Sequence, residues 1–125
     1  MNRKISELGV TSYGIPGPQI SCEPSKQEIV QAIANKDFDL RPFSGASQSA
    51  LVDEWSQKAN GNIHEFARLQ REYHAKRIAC LVVNGWSDPI EIDAAGKITD
   101  GNHRVRAADF LGRSEIEVLV KPVSN

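Results

Sequence analysis

The sequence predicts a single compact α+β domain, a small mixed sheet packed with helices, and three observations lead to it. Apolar and polar residues alternate through Asp88–Asp93 and again through Ser114–Lys121, the period-2 signature of half-buried strands. Between these stretches, Gly101 and Gly112 bracket a segment whose Val105, Ala108 and either Phe110 or Leu111 recur at helical spacing. Upstream, Ser25-x-x-Glu28 and Asn62-x-x-Glu65 each precede apolar residues at helical spacing and mark two helix starts.

In chain order, residues 1–24 hold Gly14, Pro16, Gly17, Pro18 and Pro24, a density that forbids continuous helix. They read as an extended N-terminal arm with one short strand around Ile20, and residues 25–125 as the domain proper. The first helix starts at the Ser25 capping box, has Ile29, Val30 and Ile33 as its apolar face, and ends near Asn35. Phe38 and Leu40–Phe43 form a loop expected to pin aromatic groups to the core. Ser47 caps a second helix carrying Leu51, Val52 and Trp55, stopped by Asn60-Gly61. The longest helix opens at Asn62, shows Ile63, Phe66, Ala67, Ile78, Leu81 and Val82 as its apolar stripe, and stops at Gly85. By β-propensity alone Ala79–Val83 would also suit a strand; the Asn84-Gly85 stop favours helix. A Pro89–Asp93 strand, an Ala94–Lys97 turn and an Ile98–Asp100 strand follow as a hairpin. A helix from Asn102 to Leu111 then packs through Val105, Ala108 and Leu111. The Glu115–Val120 strand shares the sheet with Pro89–Asp93, and Pro122 punctuates its end.

Composition is that of an ordinary globular domain, with 40% hydrophobic and 25% charged residues in 125. That length buries a core without disulfides or metal. Cys22 and Cys80 are too few and too far apart for a zinc spacing or a disulfide framework, so both are expected as thiols. No apolar h-region follows Met1, and the longest apolar run, Ile78–Val83, is too short to span a bilayer. A cytoplasmic protein with no membrane partner is expected. A net charge of −1 argues against strong nonspecific DNA binding and leaves weak or indirect nucleic-acid contact. Basic residues gather at Arg68, Arg71, Lys76 and Arg77, and at Arg104, Arg106 and Arg113; each group reads as a solvated face or as phosphate contacts. His64 and His74 read as surface or half-buried, on similar sides of one helix but ~15 Å apart along it, too far to share a metal. Trp55 reads as core, and Trp86 as a core-edge ring or a base-stacking platform.

The most informative stretch is Asp100-Gly101-Asn102-His103-Arg104, where a strand passes through a glycine turn into a helix. Backbone N–H groups at a helix start point toward an anion, and a glycine keeps the approach free of a Cβ. Asp100, His103 and Arg104 add an acceptor, a titratable donor and a fixed cation within one turn. The same residues also read as a purely structural helix start, capped by Asp100 and tied by His103 and Arg104.

The unit from Ile78 to Val120, a little over a third of the chain, resembles the nucleotide-binding core shared by ParB N-terminal domains and sulfiredoxins. There too a Pro-Ile β-hairpin leads to a Gly-x-x-Arg turn, a helix ending near Leu-Gly, and an alternating last strand. The turn Asp100–Arg104 is similar to the Asp-Gly-Gln-His-Arg turn of a related group. The resemblance implies a nucleoside triphosphate, ATP or CTP, with Mg²⁺. Gly101, Asn102, His103, Arg104 and Arg106 would hold its phosphates, Asp100 would hold the metal or orient water, and His103 would contact a phosphate or act as an acid. Two departures bound this. Sulfiredoxins carry a nucleophilic cysteine where this chain has Asn102, and an amide cannot attack phosphorus, so sulfiredoxin chemistry is excluded. ParB partition proteins follow a Gly-Glu-Arg-Arg turn with DNA-binding and dimerisation domains; thirteen residues follow Gly112 here, so DNA specificity would come from a partner.

Three functions fit these residues. One is a Mg²⁺-dependent nucleotide hydrolase. Another is a nucleotide-gated module coupling ligand to homodimer formation or to a DNA-bound partner. The third is a small interaction or inhibitor protein of phage or plasmid origin, meeting a protein partner through its N-terminal region.

Overall fold

The computed structural model describes residues 1–10, 12–15 and 17–121. In chain order its elements are β1 (Asn2–Lys4), a 3-10 turn (Ile5–Glu7), β2 (Gly14–Ile15), β3 (Ile20–Ser21), α1 (Lys26–Ala34), α2 (Gly45–Ala59), α3 (Ile63–Asn84), β4 (Ile90–Ile92), β5 (Ile98–Asp100), α4 (Asn102–Phe110) and β6 (Glu115–Val120). This is an α+β chain. It falls into two compact units, Met1–Thr11 with Leu81–Asn125, and Ser12–Cys80.

The first unit is built on a four-stranded mixed sheet in the order β1-β6-β4-β5. Asp93 makes the β4–β5 turn: its Oδ1 accepts from the amides of Ala95 and Lys97, both at 2.9 Å. The chain then crosses over through α4 and returns as β6, parallel to β4. Alternation along β6 buries Ile116 and Val118, which join Ile90, Ile92, Ile98, Val105 and Ala108 in one core cluster. Leu111, expected in that stripe, is 42% exposed, whereas Ala107 is fully buried. The helix ends at Phe110, and Leu111 turns away with the chain toward Gly112. Pro122 lies outside the described residues.

The N-terminal ten residues belong to this sheet. β1 pairs antiparallel with β6 at one edge, while Gly9 exchanges hydrogen bonds with Gly96 and Ile98 at the other, at 3.0 and 3.3 Å. Between the two edges, Ile5 and Leu8 pack against the core cluster.

The second unit holds the β2–β3 hairpin, which contains the short strand expected at Ile20, together with α1, α2 and most of α3. Ser25 forms the full capping box of α1, its Oγ accepting from Glu28 N at 3.1 Å and Glu28 Oε1 accepting from Ser25 N at 3.0 Å. Burial pushes the Glu28 carboxyl upward, but the bonds from Ser25 and Arg71 outweigh it and hold the group below the usual carboxylate range. The Glu28 half of the box therefore contributes fully above the ordinary carboxylate pKa and is lost as pH falls through the lowered value, while the Ser25 Oγ bond does not titrate. Ser25→Ala is expected to cost about 1 kcal/mol, read as a shift of the urea midpoint.

Helix α2 starts at Gly45 with Ser44 as its N-cap, three residues before the expected cap Ser47, and Ser44 makes no side-chain capping bond. It ends as expected, with Asn60 left-handed at φ 48°. Helix α3 runs unbroken to Asn84 and stops at Gly85. Of its expected stripe, Ala67, Ile78 and Leu81 are buried, Phe66 and Val82 half-buried, and Ile63 exposed. Leu51, Trp55 and Tyr73 form a core with Phe43 against it, but Leu40 is 73% exposed. His64 is exposed as expected; His74 is fully buried, stacked on Tyr13 with ring centroids 3.7 Å apart. Ten residues fall about 80° short of three full turns, so the two histidines occupy different faces of α3. Cys22 and Cys80 are buried, and neither is in a disulfide. No described helix is long and apolar enough to cross a membrane.

Candidate functional site

The candidate site is the passage from β5 into α4. Gly101 is its pivot. As N-cap it adopts φ 113°, a left-handed conformation that side chains resist, and it offers no side-chain cap. A Cβ there would meet Ile90 Cγ2 at 2.5 Å and Ile90 Cβ at 2.8 Å. The missing side chain therefore lets the turn press against β4, a packing requirement that stands whether or not an anion approaches. Because Gly101 is the cap, the reading of Asp100 as cap is corrected: Asp100 is the last residue of β5, and its carboxylate turns to Arg104.

Arg104 ties the turn to the chain around it. Its Nη1 donates to the carbonyls of Asp88 and Pro89, both at 3.0 Å, and its Nη2 to Asp100 Oδ2 at 2.9 Å. The guanidinium fork thus ties the first turn of α4 to the chain leading into β4. The Arg104 side chain is 17% exposed, and that of Asp100 58%. Arg106 reaches back one turn, its Nη1 3.4 Å from the carbonyl of Asn102. Asn102, His103 and Arg106 are all half-buried. The six residues singled out from the sequence, Asp100 to Arg104 and Arg106, therefore gather at one helix start.

The sheet adds a neighbour that sequence spacing left unassigned. Glu91 lies directly across the β4–β5 ladder from Asp100, beside a bulge that leaves Thr99 as the extra residue. Residues opposed in this way have Cβ atoms about 4.5–5.5 Å apart. Glu91 is neutralised by Lys121, its Oε2 3.1 Å from Nζ. Among the described residues no three of His, Cys, Asp and Glu cluster as a metal site. Any metal at Asp100 would need most of its ligands from elsewhere.

Other candidates are absorbed by structure. Arg68 pairs with Glu65 and Glu72, Arg71 with Glu28, and Lys76 with Asp37 and Glu72. These three basic residues of α3 are balanced within the chain, which fits the solvated-face reading for them; Arg77, the fourth of the group, is half-buried and departs from it. Trp86 packs against the core cluster, and the Arg113 guanidinium lies 5.0 Å from its ring centroid. That makes it a core-edge ring.

The chain is 34% identical to the ParB-like nuclease domain-containing protein YnaK of Escherichia coli (strain K12), over 44% of this chain and 68% of that protein. The chain belongs to the ParB-like family. No family model and no solved structure matches it. Within a ParB-like chain, the parallel β4–β6 pair and its α4 crossover fix where the first turn of α4 opens, and Gly101 and Arg104 hold that turn against β4.

Proposed function

We propose that this ParB-like protein binds the phosphate groups of a nucleotide at the first turn of α4. The observation that carries the reading is the helix start itself: a glycine N-cap with no capping side chain, and Arg104, Arg106 and His103 all within its first five residues. The amides of residues 101–103 and the Nη2 of Arg104 supply donors, and Arg106 and His103 add charge and a titratable N–H. The ligand class is a nucleoside triphosphate, ATP or CTP. Mg²⁺ would find in Asp100 one carboxylate beside the phosphates, with phosphate oxygens and water completing its shell. Such binding suits a nucleotide-gated module in DNA-associated processes of bacteria, phage or plasmids. The relative is named for a nuclease domain, and a phosphodiester offers the same anionic oxygens, so Mg²⁺-dependent hydrolysis is the second activity to assay.

A thermal-shift panel of ATP, CTP, GTP and ADP at millimolar concentration, with and without Mg²⁺, tests the reading. A ligand at a hundred times its Kd stabilises the native state by about 2.7 kcal/mol, a clear rise in Tm. No shift with any nucleotide would overturn phosphate binding and favour a protein-interaction role for the scaffold.

A further inference from the structure

We infer that Asp100 is an internal competitor for the phosphate site, a carboxylate latch that holds Arg104 when no anion is bound. This rests on the phosphate reading above. Arg104 has two kinds of partner. Its Nη1 is committed to two backbone carbonyls, Asp88 and Pro89, which fix the guanidinium in place. Its Nη2 is held by a side chain, Asp100, which is 58% exposed. Asp100 ends β5 beside the bulge, one residue before the Gly101 pivot, so this carboxylate stands where an incoming anion would also meet Arg104.

A phosphate and a carboxylate both seek a guanidinium, and a phosphate drawn to Nη2 would meet the Asp100 carboxylate already bonded there. Binding would exchange the Asp100–Nη2 bond for a phosphate–Nη2 bond while the Nη1 bonds hold the arginine still. The latch therefore lowers affinity for anions and spares Arg104 an uncompensated charge in their absence. Removing it should tighten binding. A purely structural role for Asp100 predicts the opposite sign, because losing the ion pair would loosen the turn.

The test is calorimetric titration of the whole chain with inorganic pyrophosphate, in metal-free buffer at fixed ionic strength. Asp100→Asn is expected to bind about two- to fivefold more tightly than the wild type, the range set by an exposed ion pair. Asp100→Ser serves as a second variant with the same expectation. Glu91→Gln, which removes the carboxylate across the ladder without touching Arg104, controls for general repulsion and should change affinity much less. In an Arg104→Gln background, Asp100→Asn should add nothing. Equal or weaker binding by both Asp100 variants would overturn the latch and leave the phosphate reading standing. Glu91→Gln tightening as much as Asp100→Asn would likewise overturn it, in favour of plain repulsion. No binding by wild type or variants would overturn the latch and the phosphate reading together.

Discussion

Replacing Gly101 by alanine is expected to destabilise the protein by about 2–5 kcal/mol, the sum of a positive-φ penalty and overpacking of a core position. The new Cβ would lie 2.5 Å from Ile90 Cγ2, and Ile90 is fully buried in the central strand β4 with nowhere to retreat. Urea or thermal unfolding measures this directly. The outcome also separates two reasons for the glycine. If Gly101 served only to let an anion approach, alanine would weaken binding and leave the unfolding midpoint in place. A large loss of stability without ligand is what packing against β4 requires.

The second large effect belongs to Arg104. Arg104→Ala is expected to cost about 2–3 kcal/mol, because it strips three charge-assisted hydrogen bonds and unfastens α4 from the chain entering β4. The Asp100 bond is discounted within that range, since its exposed carboxylate is readily rehydrated. Arg104→Lys should recover little, because an ammonium cannot span both carbonyls and the carboxylate from one rigid plane. Nucleotide affinity should fall as well, by about 1.5–3 kcal/mol if the guanidinium also meets phosphate. Unfolding midpoints and nucleotide titrations on the same variants distinguish the two losses.

The parts of the fold legible in the sequence were those written in local periodicity and caps. Ile116 and Val118 alternate with glutamates, Ser25 and Glu28 close a box, and Asn60-Gly61 and Gly85 stop their helices. Strand β1 was not legible. Asn2-Arg3-Lys4 are all exposed, so no alternation marks them, and their pairing comes from the free edge that β6 presents. The start of α2 was misread because a serine at position 47 resembles a cap, while the helix begins at Gly45 without one. Buried His74 escaped because a polar residue on a helix gives no sign of the Tyr13 ring that covers it.

The candidate turn divides the same way. Its residue types and their clustering stand in consecutive positions and could be read directly. The partners of Arg104 are backbone carbonyls fifteen and sixteen residues away, invisible to any motif. Glu91 opposes Asp100 only because the hairpin register includes a bulge. Local spacing cannot supply a register of that kind.

The most direct measurement of the central claim is a two-dimensional amide spectrum of the whole chain titrated with ATP, CTP and pyrophosphate. Phosphate binding at the first turn of α4 predicts saturable shifts concentrated at Gly101, Asn102, His103 and Arg104, with Arg106 following and the amides of α1 and α2 unmoved. Shifts centred anywhere else, or none at millimolar ligand, would contradict it.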